Sequence, residues 1–88
     1  MAAYTSKTEQ YLQRVDPDRA HWTKLYGAGD TVPYSGIYKC LGCNKEITSN
    51  QGDPFPPQNR HQHTVSQGKI VWRLIVRTDT EGNRFGLN

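Results

Sequence analysis

The chain has 88 residues, 34% of them apolar, with a mean hydropathy of -0.83 and a formal net charge of +3. That length sets a single domain, residues 1–88, with a small core that gains from an extra fastener such as a metal, and it leaves little room for a substrate pocket of ordinary size. The 11 Lys and Arg are scattered from Lys7 to Arg84 among 8 Asp and Glu, which excludes a basic block, and the longest apolar-rich run, IVWRLIV at 70–76, is broken by an arginine and too short to span a membrane.

In chain order, residues 6–26 read as a helical segment, either one broken helix or two short ones. Ser6 and Glu9 stand at capping-box spacing, and Tyr11, Leu12 and Val15 then share a face. Asp16-Pro17 restarts the pattern, with Asp16 as N-cap and Pro17 at the first helical position. Trp22, Leu25 and Tyr26 fall at helical spacing before Gly27 and Gly29 supply a stop. The opening MAAYTSKTEQYLQ lacks a basic start followed by an apolar stretch, so a cytoplasmic address is expected.

Residues 29–78 read as a β core. Gly29-Asp30-Thr31-Val32-Pro33 and Gly52-Asp53-Pro54-Phe55-Pro56 echo each other in the form G-D-x-apolar-P, which turn chemistry by itself explains. GIYKC at 36–40 alternates as a strand, and Glu46–Ser49 is its return. The strongest strand is KIVWRLIVRT at 69–78. Its period of two puts Ile70, Trp72, Leu74 and Val76 toward the core and Val71, Arg73, Ile75 and Arg77 on a second, partly covered face. Residues 79–88 read as a loop followed by an edge strand or tail carrying Phe85 and Leu87. Trp22 and Trp72 are expected in the core that joins helix to sheet.

Only two cysteines are present, at C-x-x-C spacing: Cys40-Leu41-Gly42-Cys43. In a reducing compartment such a pair binds metal or does redox work. A redox pair sits at the start of a helix, whereas here a strand precedes and Asn44-Lys45-Glu46-Ile47 opens no amphipathic helix, so metal binding is the better reading. Gly42 is expected to relax the turn through a positive φ. Zinc takes four ligands, so the cysteines are half of a site. His61 and His63 lie 18 and 20 residues beyond Cys43, and residues two apart in an extended segment share a face. The expected set is Cys40, Cys43, His61 and His63 around one structural zinc ion, with Gln58 and Asn59 as outer partners and His21 as a further candidate ligand.

The stretch GIYKCLGCNKEI at 36–47, followed by FPP at 55–57, resembles small bacterial zinc-ribbon proteins with a rubredoxin-like knuckle. Their form is G-x-Y-x-C-x-x-C-G-x-E-I, then a turn and a second P-P-C-x-x-C pair. The resemblance covers residues 29–76, about half of the chain. Asn44 stands where that pattern has Gly, Gln58 where it has the third Cys, and His61 where it has the fourth. The resemblance implies a zinc-ribbon-like antiparallel sheet and no particular activity. With the helical segment it makes the expected class α+β, a helical segment packed on a zinc-ribbon-like antiparallel sheet.

For function, the first reading is a non-enzymatic, metal-stabilised interaction module with a protein partner. It meets that partner through Arg60, Arg73 and Arg77 and the polar loop 58–63. Nucleic-acid binding is the alternative, with Arg60, Lys69, Arg73, Arg77 and Arg84 tracking phosphates near Tyr34 and Tyr38. An enzyme would keep an open position on the metal, with Asp53 or Glu46 as base, but no H-E-x-x-H or deaminase-type pattern occurs, and no membrane or small-molecule partner is evident.

Overall fold

The computed structural model describes residues 1–56 and 63–85. Its fold is α+β. A 3-10 turn (Glu9–Tyr11) and a short helix α1 (Ala20–Thr23) precede four strands: β1 (Tyr26–Gly27), β2 (Gly36–Cys40), β3 (Glu46–Ser49) and β4 (Val71–Arg77). They form one sheet in the order β1-β4-β2-β3, with every adjacent pair antiparallel. A further 3-10 turn, Val65–Gln67, leads into β4.

The helical segment is shorter than its periodicity suggests. The reciprocal cap lies one residue earlier than Ser6 and Glu9: Thr5 Oγ1 accepts from the Thr8 N–H at 3.1 Å, and Thr8 Oγ1 accepts from the Thr5 N–H at 2.8 Å. The turn it starts does not propagate, because Tyr11 and Leu12 remain 80% and 51% exposed and no tertiary surface rewards further helix. Asp16 closes a local turn onto the Asp18 N–H at 2.9 Å, and the N-cap of α1 is Arg19. α1 stops at Lys24, whose ψ is 143°, because Tyr26 pairs with Trp72 in the sheet. Leu25 therefore points outward while Tyr26 is buried, an alternation of strand type.

The core is built around aromatic rings. Tyr26 stacks on Phe55 at 5.4 Å, and Tyr38 meets Phe55 edge-on at 4.9 Å, between ring centroids. The Tyr38 hydroxyl donates to the Tyr34 carbonyl at 2.7 Å, so a fully buried phenol keeps its hydrogen bond. Val32, Cys40, Ile70, Trp72 and Leu74 complete the core, and Trp22 packs against it from outside.

The two G-D-x-apolar-P segments do more than turn. They pair with each other, with Thr31 opposite Pro54 in an isolated antiparallel bridge. The Gly29 N–H donates to the Phe55 carbonyl (3.2 Å), Phe55 N–H to Asp30 (2.8 Å), Val32 N–H to Asp53 (2.8 Å) and Gly52 N–H to Val32 (2.9 Å). Gly29 and Gly52 both take positive φ, and Val32 and Phe55, the apolar members of the two copies, are both buried.

One irregularity re-aims β4. Ile37 pairs with Val76 but Tyr38 pairs with Leu74, so Ile75 is the extra residue of a β-bulge. Beyond it the side-chain parity reverses. Gly36 lies opposite Arg77, which places Arg77 on the face of Trp72 and Leu74 rather than with Arg73, while Val76 shares a face with Ile37 and is only half-buried. Position 36 has to be glycine, since a Cβ there would overlap the Val76 carbonyl. After β4, residues 79–85 form turns, and Leu87 lies outside the described residues.

Candidate metal centre

β2 ends on Cys40, which sits opposite Trp72 and is fully buried. The chain then folds back tightly. Cys40 N–H donates to the Lys45 carbonyl at 2.7 Å, and Asn44 N–H donates to the Cys40 carbonyl at 2.8 Å. The left-handed residue of this knuckle is Asn44, with φ of 66°, and not Gly42. Asn is the side chain that best tolerates this conformation after Gly, so its replacement of the pattern's Gly preserves the backbone.

Gly42 is required for a different reason. A Cβ on it would lie 2.6 Å from the Gln67 carbonyl oxygen, 2.6 Å from His63 Cε1 and 3.1 Å from His63 Nδ1. The absent side chain is what lets the His63 imidazole lie against the C-x-x-C turn.

His63 is brought in by the 3-10 turn that follows it. Thr64 N–H donates to Gln67 Oε1 at 2.9 Å and Gln67 N–H to the Thr64 carbonyl at 3.1 Å, and this places the Gly68 carbonyl 2.8 Å from His63 Nδ1. A carbonyl only accepts, so the proton sits on Nδ1 and the Nε2 lone pair is directed elsewhere. Nε2 lies 3.2 Å from Cys40 Sγ. The ligating atoms of Cys40, Cys43 and His63 all fall within 4.8 Å of one another, and neither cysteine is in a disulfide. Two soft sulfurs and one imidazole whose other nitrogen is anchored to a carbonyl form a donor set that can hold a metal ion.

Of the expected site residues, the structure brings together Cys40, Cys43 and His63. His61 lies outside the described residues, as do Arg60, Gln58 and Asn59. His21 is not part of the centre: its ring packs between Trp22 (5.4 Å) and Tyr34 (4.9 Å) near the other end of β4. The described ligand group contains no carboxylate, and Glu46 is paired with Lys39 at 3.2 Å. The Gly68 carbonyl and the clearance at Gly42 were not anticipated from sequence. Q-G at 67–68 five residues after a histidine is too common a pair to signal either. Arg73 is tied to the helical segment through Nε, which donates to the Trp22 carbonyl at 3.0 Å.

Among the described residues, no helix is long and apolar enough to cross a membrane. No family model matches the chain, and no solved structure matches it. It is 61% identical over 87 residues to a protein of Escherichia coli named Protein L, with 99% of each chain covered, a name that states no activity. At that identity over the whole of both chains, the chain belongs to the same family as Escherichia coli Protein L.

Proposed function

We propose that the protein is a small, non-enzymatic interaction module whose β core is closed by one structural zinc ion. The observation that carries this reading is the convergence of Cys40, Cys43 and His63, with His63 Nδ1 fixed on the Gly68 carbonyl. A tetrahedral zinc with sulfur at about 2.3 Å and imidazole nitrogen at about 2.0 Å separates its ligand atoms by roughly 3.5–3.8 Å. The 3.2 Å between Cys40 Sγ and His63 Nε2 and the 4.8 Å upper bound across the group bracket that spacing. His61 is the candidate for the fourth ligand, which would close the coordination shell as structural sites require. The resemblance of residues 36–47 to zinc-ribbon knuckles points the same way.

Function as a binding module, not an enzyme, fits a ligand group without a carboxylate base. A cytoplasmic, reducing compartment fits a pair of cysteines outside any disulfide. A protein partner is favoured over nucleic acid because Arg73, one of the expected phosphate-tracking cations, is engaged on the Trp22 carbonyl, and the Tyr34 ring on which a base would stack carries the Arg77 guanidinium. The test is metal content of the purified protein by native mass spectrometry, beside the His63→Ala variant. One zinc per chain, lost in the variant, supports the reading; a folded, metal-free wild type overturns it.

A further inference from the structure

At the end of the sheet away from the cysteines, β2 begins at Gly36, about 13 Å from Cys40 at the rise of an antiparallel strand. Opposite Gly36, the bulge in β4 turns Arg77 onto the core side, where its guanidinium lies 4.0 Å from the Tyr34 ring centroid and 4.7 Å from that of Phe85. A guanidinium is planar by delocalisation, and contact with the two rings restricts how that plane can turn while leaving its edge N–H donors to grip an oxyanion with two parallel hydrogen bonds. Arg77, Arg19, His21 and Trp22 line a cavity of about 250 Å³ with the same two rings.

The cavity holds cations and no anion. Among the described residues neither Arg19 nor Arg77 makes an ion pair; those present are at Glu46. The acid nearest Arg77 along the chain, Asp79, lines the adjoining groove but spends its carboxylate on the N–H groups of Gly82 and Arg84, closing its own turn at 3.0 and 2.9 Å, and Asp16, on the other side, accepts from the Asp18 N–H at 2.9 Å. His21 Nε2 is buried without a hydrogen-bond partner among the described residues, a polar atom that such a site normally satisfies. A groove of about 610 Å³ adjoins the cavity through Trp22, Arg77 and Phe85 and continues over Tyr11, Leu12 and Ile75.

We propose that this cavity and groove dock an acidic peptide segment of a protein partner, with a side-chain carboxylate on Arg77 and Arg19 and its apolar neighbours on Leu12, Trp22 and Ile75. The inference rests on the interaction-module reading for the class of partner and is independent of the metal. Peptide is favoured over nucleic acid by two features. The Tyr34 and Phe85 faces that would stack bases are covered by Arg77, and the cations converge on one cavity beside an apolar groove instead of running as a track.

The experiment titrates the full chain, carrying ¹⁵N, with a short capped peptide bearing a central Glu-Asp pair flanked by Leu and Phe. Its Gln-Asn counterpart, oligo(dT) and inorganic phosphate are titrated in parallel, and zinc content is measured on each sample. The acidic peptide is expected to saturate shifts at the Arg77 Nε–H and the Trp22 indole. The amide peptide should bind at least about tenfold more weakly, as loss of charge-assisted hydrogen bonds implies. Arg77→Gln should lose a similar factor, and Arg19→Gln, at an exposed position outside the core, a smaller one that does not depend on Arg77 variants folding. Equal binding of acidic and amide peptides, or no binding by folded protein, overturns the proposal. Tighter binding of oligo(dT) at the same resonances overturns it in favour of nucleic acid, and saturation by phosphate alone reduces the cavity to a small-anion site. Zinc-loaded protein that fails to bind peptide sinks the cavity alone; metal-free protein that binds it sinks the zinc reading alone.

Discussion

Replacing Gly42 by alanine should damage the metal centre without touching a ligand. The new Cβ would stand 2.6 Å from the Gln67 carbonyl oxygen and 2.6 Å from His63 Cε1, against an ordinary contact of about 3.5 Å, a shortfall of roughly 0.9 Å on both sides. Gln67 is backbone in a hydrogen-bonded turn, so it gives little. The imidazole moves instead, and that stretches the 2.8 Å bond from Nδ1 to Gly68 that aims Nε2 at the metal. Perturbing such an orienting bond costs about 10- to 100-fold in metal affinity, or about 1.4–2.7 kcal/mol, and overpacking adds about 1–3 kcal/mol of lost fold stability. Chelator competition on Gly42→Ala measures the first and urea unfolding of the metal-loaded protein the second. Gly52→Ala is the control: its Cβ would meet nothing within 4 Å, but its φ is +92°, so it should cost stability and leave metal affinity unchanged. Wild-type metal affinity in Gly42→Ala would refute the reasoning.

Two further predictions concern single side chains. Asn44 has φ of 66°, so Asn44→Gly should be close to neutral while Asn44→Val should destabilise by about 1–2 kcal/mol, read as a shift in urea midpoint. Burial first, then Arg77 and then Arg19, hold the His21 pKa below its ordinary 6.5, so its ring stays neutral in the fold under conditions that protonate it in the unfolded chain. Its contribution to stability is therefore complete above about pH 6.5 and is lost as pH falls through the lower folded value. An NMR titration should place the His21 midpoint below that of the denatured chain, and Arg77→Gln should raise it toward the ordinary value.

Strands were more legible than helices. Glu46–Ser49 and Gly36–Cys40 appear at the boundaries their alternation suggests, because both are short, half-covered and bounded by turn residues. The helical segment read well on paper because capping residues and spacing are local signals. It shortened because Tyr26 gains more by pairing with Trp72 than by extending a helix whose Tyr11 and Leu12 have nothing to cover. Parity along β4 held as far as Leu74 and then failed, since a one-residue bulge leaves no mark in IVWRLIV or in the Ile37-Tyr38 step that faces it. Cys40 and Cys43 were visible from their spacing. The choice of His63, in contrast, depends on where a carbonyl twenty-five residues past Cys43 happens to lie, which only the folded chain displays. The G-D-x-apolar-P echo carried more than turn chemistry: the two copies pair across an antiparallel bridge and bury their apolar members in the same core.

X-ray absorption at the zinc edge addresses the central claim most directly, because it counts donors without requiring crystals. A shell of two sulfurs near 2.3 Å and imidazole nitrogen near 2.0 Å, with sulfur lost in Cys43→Ser and the imidazole signature reduced in His63→Ala, is the expected result. A shell of oxygen and nitrogen only, or a spectrum unchanged by both substitutions, would contradict a metal held by Cys40, Cys43 and His63.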